Sequence, residues 1–159
     1  MIIEVGMADM KISTPPHTLV TRGLGSCVGI TLYDPHKKRG GLAHAMLPCF
    51  AMAKIKTNPF KFVDSVIPLM FEELKKQGCK MEKLEVKLFG GAHMFSSIPM
   101  DSSFNIGAKN IKTAYELLDK YNISVIAEDT GGNYGRTIFF DLSTGKVKVR
   151  TIFFGEKEL

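Results

Sequence analysis

The chain has 159 residues, 45% of them apolar and 23% charged, with a net charge of +5. A mean hydropathy of +0.04 and the lack of an apolar run of about 18–20 residues exclude insertion into a membrane, and the lysines are not interleaved with aromatic residues as they are in nucleic-acid-binding modules. We therefore expect a single domain over residues 1–159, located in the cytoplasm because the N-terminal residues lack the basic and apolar blocks of a signal peptide.

The first 50 residues indicate mostly β-strands. A short β-branched stretch covers residues 17–21, and apolar residues at 28, 30 and 32 alternate with residues 29, 31 and 33, a period of two. Turn residues at 34–40 precede a returning strand over 41–47. The two strands predict a β-hairpin.

Two helices are predicted in the middle of the chain. Asn58-Pro59 indicates a helix start, the helix extends to about Gln77 with Gly78 as its C-terminal cap, and Pro68 predicts a kink. Its buried face is expected to hold Val63, Ile67, Met70, Phe71 and Leu74. The second helix is expected over residues 107–121, with an inner stripe of Ile111, Ala114, Tyr115 and Leu118.

Further strands are predicted over residues 84–89, 123–127, 136–141 and 146–153. The last two form a hairpin, and Phe153 and Phe154 are expected to pack on the core. Strands at both ends of the chain and two main helices predict an α+β fold with mixed, mostly antiparallel β-sheet layers.

Cys27 directly follows two closely spaced glycines in Gly23-Leu24-Gly25-Ser26-Cys27. Such a turn leaves backbone N–H groups free to stabilise an oxyanion, which indicates a nucleophilic thiol. The alternative is a small core thiol, the usual role of a free cysteine. The chain has no C-x-x-C pair, so neither a zinc ribbon nor a thioredoxin-type site is indicated, and no metal is expected.

His44 lies in the returning strand among small and apolar residues. It is either a core histidine bonded to the backbone or a base beside the thiol. Cys27 and His44 share a face of the sheet if paired residue numbers in the hairpin add to about 71 or 73, and lie on opposite faces if they add to 74. Thr21, at the end of the preceding strand, is placed to orient the imidazole.

Two glycine-rich segments follow predicted strands, at residues 90–95 and 128–136. Functional sites are often built at such strand ends, although a tight turn explains each segment equally well. His93, in the first segment, is an alternative base.

Together these motifs resemble the chemoreceptor glutamine deamidase family, CheD. The matching pieces are Thr21 with Gly23-Leu24-Gly25-Ser26-Cys27, His44-Ala45-Met46-Leu47-Pro48, Gly90-Gly91-Ala92 with Met94-Phe95, Asn105-Ile106-Gly107 with Asn110, and Glu128-Asp129 with Gly131-Gly132-Asn133 and Gly135-Arg136. The stretch over residues 96–104 looks longer than the resemblance leads us to expect.

The resemblance implies a catalytic pair of Cys27 and His44 with Thr21 as an auxiliary residue. It also implies an α/β sandwich like that of cysteine-dependent deamidating toxins. An imidazole beside the thiol is expected to lower the pKa of Cys27. Gly25 and Ser26 are expected to support the oxyanion through the backbone, and the candidate substrate-binding residues are Gly91, Met94, Phe95, Asn133 and Arg136.

Two activities come with the resemblance: hydrolysis of glutamine side chains on the cytoplasmic helices of chemoreceptors, and binding of a CheC-type phosphatase. A thiol–imidazole mechanism needs no cofactor. The basic charge is explained either by a solvated face or by attraction to an acidic receptor surface. The alternatives are a non-enzymatic adaptor that docks the phosphatase, and a small-molecule amidase, which is disfavoured because no polar specificity pocket is indicated.

Overall fold

Ten strands form two five-stranded sheets in the computed structural model, which describes residues 1–55, 58–95, 99 and 104–159. Most of the stretch 96–104 therefore lies outside the described residues. The first sheet has the order β1-β3-β8-β9-β10, and these strands are Ile2–Glu4, Thr18–Leu24, Arg136–Asp141, Val147–Thr151 and Gly155–Glu158. The second has the order β2-β5-β4-β6-β7, and these strands are Asp9–Ser13, Arg39–Ala45, Val28–Asp34, Glu85–Gly90 and Val125–Thr130.

The sheets are mixed, and the predicted α+β class is confirmed. The pairs β1–β3 and β6–β7 are parallel, whereas the other pairs among the named strands are antiparallel. Two α-helices, α1 at Val63–Lys76 and α2 at Ile106–Lys120, accompany the sheets. Neither they nor the short 3₁₀ turns of the described chain are long and apolar enough to cross a membrane.

The second sheet is the middle layer of the fold. Val28, Ile30 and Leu32 lie in one apolar cluster with the buried face of α1, while Tyr33 lies in another with Phe140 of the first sheet. Side chains of a strand alternate between the two faces of its sheet, so β4 is covered on one side by helices and on the other by the first sheet. Every residue of β4 is consequently buried.

The β4–β5 hairpin has the register of 73, one of the two expected registers that place Cys27 and His44 on the same face of the sheet. Paired residue numbers add to 73 throughout, from Val28 opposite Ala45 to Asp34 opposite Arg39. Gly29 therefore lies opposite His44, one diagonal step from Cys27.

The predicted buried face of α1 is confirmed, but its predicted start is wrong. All five apolar residues named above are buried. Asn58 instead caps a separate 3₁₀ turn, Pro59–Lys61, by accepting a hydrogen bond from the Phe60 N–H, and α1 begins at Val63. A proline can open a 3₁₀ turn as readily as an α-helix, so the sequence signal was the same. Gly78 follows the helix with φ +91°, as a C-terminal glycine does.

The inner face of α2 differs from the predicted stripe. Ala114 and Leu118 are buried as expected, but Tyr115 is exposed and donates a hydrogen bond to Glu128. The buried face includes Gly107 and Asn110 instead. The stripe was predicted from large apolar side chains, and this helix packs closely through small and polar ones.

The chain after β9 also departs from the prediction. Phe153 and Phe154 are 78% and 71% exposed, in the turn that joins β9 to β10. They do not pack on the core because the chain turns back there to pair β10 with β9.

Candidate active site

Several strands of the two sheets end around one loop, residues 25–27, which we call the Cys27 loop. The loop joins β3 to β4. The residues that follow β6 hold it in place: the Gly91 N–H donates to the Cys27 carbonyl at 2.8 Å, and the Ala92 N–H donates to the Gly25 carbonyl at 2.8 Å. Cys27 itself is half-buried and packs against the apolar cluster between the sheets.

Gly90 allows β6 to approach the loop this closely. Its φ is +96°, and a methyl group on its Cα would lie 2.3 Å from the Cys27 carbonyl oxygen. No larger residue fits without moving the Cys27 loop. The glycine of the Gly90-Gly91 motif is therefore explained by the position of the cysteine.

His44 lies between the two sheets, next to Thr21. Both side chains are fully buried, and Thr21 Oγ1 is 2.7 Å from His44 Nδ1. Thr21 Oγ1 also donates a hydrogen bond to the Val5 carbonyl at 2.7 Å. A hydroxyl has one proton, so His44 Nδ1–H must be the donor to Thr21, and Nε2 carries the lone pair.

The Nε2 atom is available as a base. It is buried and has no hydrogen-bond partner among the residues that the structure describes. Gly29 faces His44 across the hairpin, and a methyl group there would lie 2.9 Å from Leu24 Cδ1. The position opposite the imidazole is therefore closed by the Leu24 and Ile138 side chains, 2.9 and 3.1 Å from that methyl position, and only glycine permits this close packing on the face that also carries Cys27.

Burial dominates the electrostatics of both groups. It lowers the pKa of His44 from 6.5 to about 4 and raises the pKa of the Cys27 thiol. The expectation of a lowered thiol pKa is therefore wrong. A buried site penalises both the imidazolium and the thiolate, so the resting pair is a neutral thiol and a neutral imidazole near pH 7.

The backbone at Ser26 and Cys27 offers hydrogen-bond donors. Among the described residues, neither N–H donates to a backbone carbonyl, and the Cys27 N–H interacts with its own thiol sulfur. Amides beside a thiol that no carbonyl occupies are the groups that stabilise an oxyanion in acyl transfer.

The remaining candidate residues fall at three places. Met94, Asn133 and Arg136 line a groove of about 440 Å³ beside Gly23. Gly91 lines a separate recess of about 290 Å³ with His93. Phe95 is 65% exposed. His93, the alternative base, lines this recess rather than the groove beside Gly23.

Arg136 is a buried residue rather than an open contact. Its guanidinium donates to the Gly131 carbonyl at 2.9 Å, lies 3.4 Å from Asp129 Oδ1, and stacks on the ring of Tyr134. These contacts fold the segment after β7 over itself. Arg136 therefore holds the wall of the groove, and its charge is already paired.

Asn110 is a buried polar residue at this site to which the sequence analysis gave no role. Its side-chain amide donates to the Ser26 carbonyl at 2.9 Å and to the Met46 carbonyl at 3.1 Å. The sequence marked Asn110 only as part of a motif with Asn105-Ile106-Gly107, and its burial on the inner face of α2 is what points to a role. No group of three or more His, Cys, Asp or Glu side chains in the described ranges is arranged to hold a metal ion.

Comparisons with known proteins identify close relatives. The family model described as CheD chemotactic sensory transduction matches residues 46–151. A probable chemoreceptor glutamine deamidase CheD of Desulforamulus reducens is 49% identical over 94% of this chain and 90% of its own length. A probable chemoreceptor glutamine deamidase CheD 1 of Methanosarcina acetivorans is 49% identical over 98% of this chain and 96% of its own. A probable chemoreceptor glutamine deamidase CheD of Clostridium novyi is 45% identical over 96% of this chain and 94% of its own length.

Proposed function

Since this chain belongs to the CheD family, we propose that it hydrolyses glutamine side chains to glutamate on chemoreceptors, with Cys27 as nucleophile and His44 as base. The names of its relatives support the substrate. The proposal places the reaction in the cytoplasm, on the receptor's cytoplasmic helices, and assigns it to one domain spanning the chain.

The observation that carries the mechanism is the hydrogen-bond chain from Val5 through Thr21 to His44. It fixes the proton on Nδ1 and leaves Nε2 bare. A core histidine that served only for packing would have both nitrogens paired, because an unpaired buried polar atom destabilises the fold. The arrangement favours a role for His44 Nε2 as a base that accepts a proton during the reaction.

The reaction then runs through an acyl-enzyme. His44 Nε2 takes the Cys27 proton as the sulfur attacks the amide carbon, and the N–H groups of Ser26 and Cys27 stabilise the oxyanion. The imidazolium returns the proton to the amide nitrogen, and ammonia leaves. Water, deprotonated by the same nitrogen, hydrolyses the thioester to glutamate and the free thiol. Each step uses groups of this chain and water.

The pKa values make proton transfer part of the attack. The low pKa of His44 and the raised pKa of Cys27 disfavour a stored thiolate–imidazolium pair. Substrate that covers the site brings the amide and its developing charge to the donors, and the proton moves as that charge forms.

The test of function is the mass of a purified chemoreceptor cytoplasmic fragment after incubation with the protein. We expect each converted glutamine to add about one dalton, because a hydroxyl replaces an amino group. Peptide mapping should locate the change at glutamine. A fragment of unchanged mass would contradict the proposed activity.

A second candidate is a non-enzymatic adaptor that binds and regulates a CheC-type phosphatase. The observation that favours it is the set of exposed apolar side chains, a common feature of interaction surfaces. They include Met94, Phe95, Phe104, Ile152, Phe153 and Phe154. A Cys27→Ala variant that still regulates the phosphatase but no longer deamidates would show that the two roles are separable. Unchanged receptor mass with native protein would favour the adaptor alone.

A further inference from the structure

Asn110 lies where β4 and β5 separate. Val28 opposite Ala45 is the last pair of the hairpin at this end. Beyond it the strands turn to different partners: the Met46 N–H donates to the Lys61 carbonyl at 2.7 Å, and the Cys27 carbonyl accepts from the Gly91 N–H. By the hairpin register, Cys27 lies opposite Met46, and the structure records no backbone hydrogen bond between these two residues.

The Asn110 side chain joins the two strands at this point. Its NH₂ group uses both hydrogens, one on the Ser26 carbonyl and one on the Met46 carbonyl. The orientation of the amide is unambiguous, since only the nitrogen can face two carbonyl oxygens. Ser26 is the residue before the nucleophile, and Met46 is two residues after His44. One side chain therefore links the cysteine loop to the strand of the histidine.

The helix that carries Asn110 is itself pressed against the site. A methyl group on Gly107 would lie 2.3 Å from the Ala92 carbonyl oxygen, in the segment whose N–H groups hold the Cys27 loop. Helix α2 thus contacts the ends of β4, β5 and β6 through one turn of its inner face. An amide on this turn ties two strand ends, which no longer pair with each other, to one helix.

Packing alone does not explain Asn110, because an unpaired buried polar atom lowers the stability of the fold. Asn110 is fully buried, and its Oδ1 has no hydrogen-bond partner among the described residues. A leucine of similar volume would fill the same space without an unpaired acceptor. The asparagine is explained by its two donated hydrogen bonds.

We infer that Asn110 is a positioning residue that fixes the Cys27 loop relative to the strand of His44, so that the thiol and the imidazole meet for proton transfer when the reaction begins. The inference rests on the proposed catalytic pair, because it assigns no contact with substrate to Asn110. It predicts that the influence of His44 on Cys27 depends on Asn110.

A double-mutant cycle on thiol alkylation tests this dependence without any receptor. The rate of iodoacetamide labelling at Cys27 is measured near pH 7 by peptide mass, in native protein, His44→Gln, Asn110→Leu and the double variant. His44→Gln is expected to slow labelling about tenfold in native protein, because Nε2 no longer takes the thiol proton as the sulfur attacks the reagent. In the Asn110→Leu background the effect is expected to be less than about twofold. Labelling of Cys49 is the internal control.

Leu118→Ala is the matched control for destabilisation, since Leu118 is buried on the same helix and donates no hydrogen bond to the site. The full effect of His44→Gln should persist in that background. If Asn110→Leu does not fold, Asn110→Ser replaces it in the cycle with the same criteria.

The inference is overturned if His44→Gln slows Cys27 labelling equally with and without Asn110. It is also overturned if His44→Gln does not slow labelling in native protein. Failure to deamidate a receptor fragment, with the cycle behaving as expected, would instead refute the proposed substrate and leave the positioning role intact.

Discussion

The Thr21 hydroxyl decides which nitrogen of His44 can act as a base. Its one proton goes to the Val5 carbonyl, so the oxygen can only accept from Nδ1–H. The sequence motif pointed to Thr21 as an orienting residue, but nothing in the local pattern singled out Val5. A backbone acceptor contributes through its position alone, and no residue type marks it.

Thr21→Val should lower kcat for deamidation about ten- to a hundredfold, because Nδ1–H loses its acceptor and the imidazole can change tautomer. The variant keeps the β-branched shape of threonine in the same buried position. Turnover is measured by the mass of the receptor fragment under saturating substrate. Thr21→Ser, which keeps the hydroxyl, should retain most of the activity; a fully active valine variant would exclude the orienting role.

His44 also predicts how stability responds to acid. Its pKa is about 4 in the fold against 6.5 without burial, so between these values the unfolded chain binds the proton and the folded chain does not. The stabilisation is present above about pH 6.5 and is lost as the pH falls toward 4, by up to about 3 kcal/mol. Urea unfolding of native protein and His44→Gln at about pH 7 and pH 4.5 measures the difference. Identical pH dependence in the two proteins would show that the histidine is not held neutral by burial.

The sequence led us to pair Cys27 with His44 as a hypothesis, but the expected direction of the Cys27 pKa shift was wrong. A nearby imidazole suggests a lowered thiol pKa, whereas burial between two sheets acts in the opposite direction on both groups. The depth of a site depends on which layers cover it. Residue spacing along β4 and β5 does not contain that information.

At the scale of elements, the ends of β4, β5 and β6 create the site. The alternation of apolar residues predicted which side chains of the hairpin share a face. The structure shows the register, in which paired residue numbers add to 73. Register depends on the turn and on the layers packed on each face, so the sequence left 71, 73 and 74 open. The stripe of α2 was mispredicted at Tyr115 because small residues, not large ones, make the close contact.

Gly90→Ala should lower both activity and stability by more than the strain of an alanine at positive φ. An added methyl group would lie 2.3 Å from the Cys27 carbonyl, so the Cys27 loop must move. We expect kcat to fall about a hundredfold, as displacements near 1 Å do in active sites. The stability loss, read by urea unfolding, should exceed the roughly 1–2 kcal/mol of a left-handed alanine.

Gly155→Ala is the control for this change. Gly155 also has positive φ, +71°, but nothing lies within 4 Å of an added methyl group. The Gly155→Ala variant should lose only the stability that an alanine at positive φ costs, and it should remain active. Equal activity losses in the two variants would contradict the role of Gly90 in seating the loop.

At the scale of the whole molecule, the sequence predicted the class of fold but not its layers. Alternating patterns and two amphipathic helices indicated an α+β protein with mixed sheets. They could not show that β1 pairs with β3, that β3 pairs with β8, or that β4 lies between β5 and β6. Such pairings join distant segments, and local periodicity is the same for any partner. The His44 site exists because two sheets close over it.

The most direct test of the central claim compares single cysteine variants in receptor deamidation. Cys27→Ala, Cys49→Ala and Cys79→Ala are each incubated with the receptor fragment, and the increase in its mass is followed over time, with folding verified by thermal unfolding. The account predicts that only Cys27→Ala loses turnover, by a factor of about a thousand or more, because the nucleophile is gone. Turnover by folded Cys27→Ala at the native rate would contradict it.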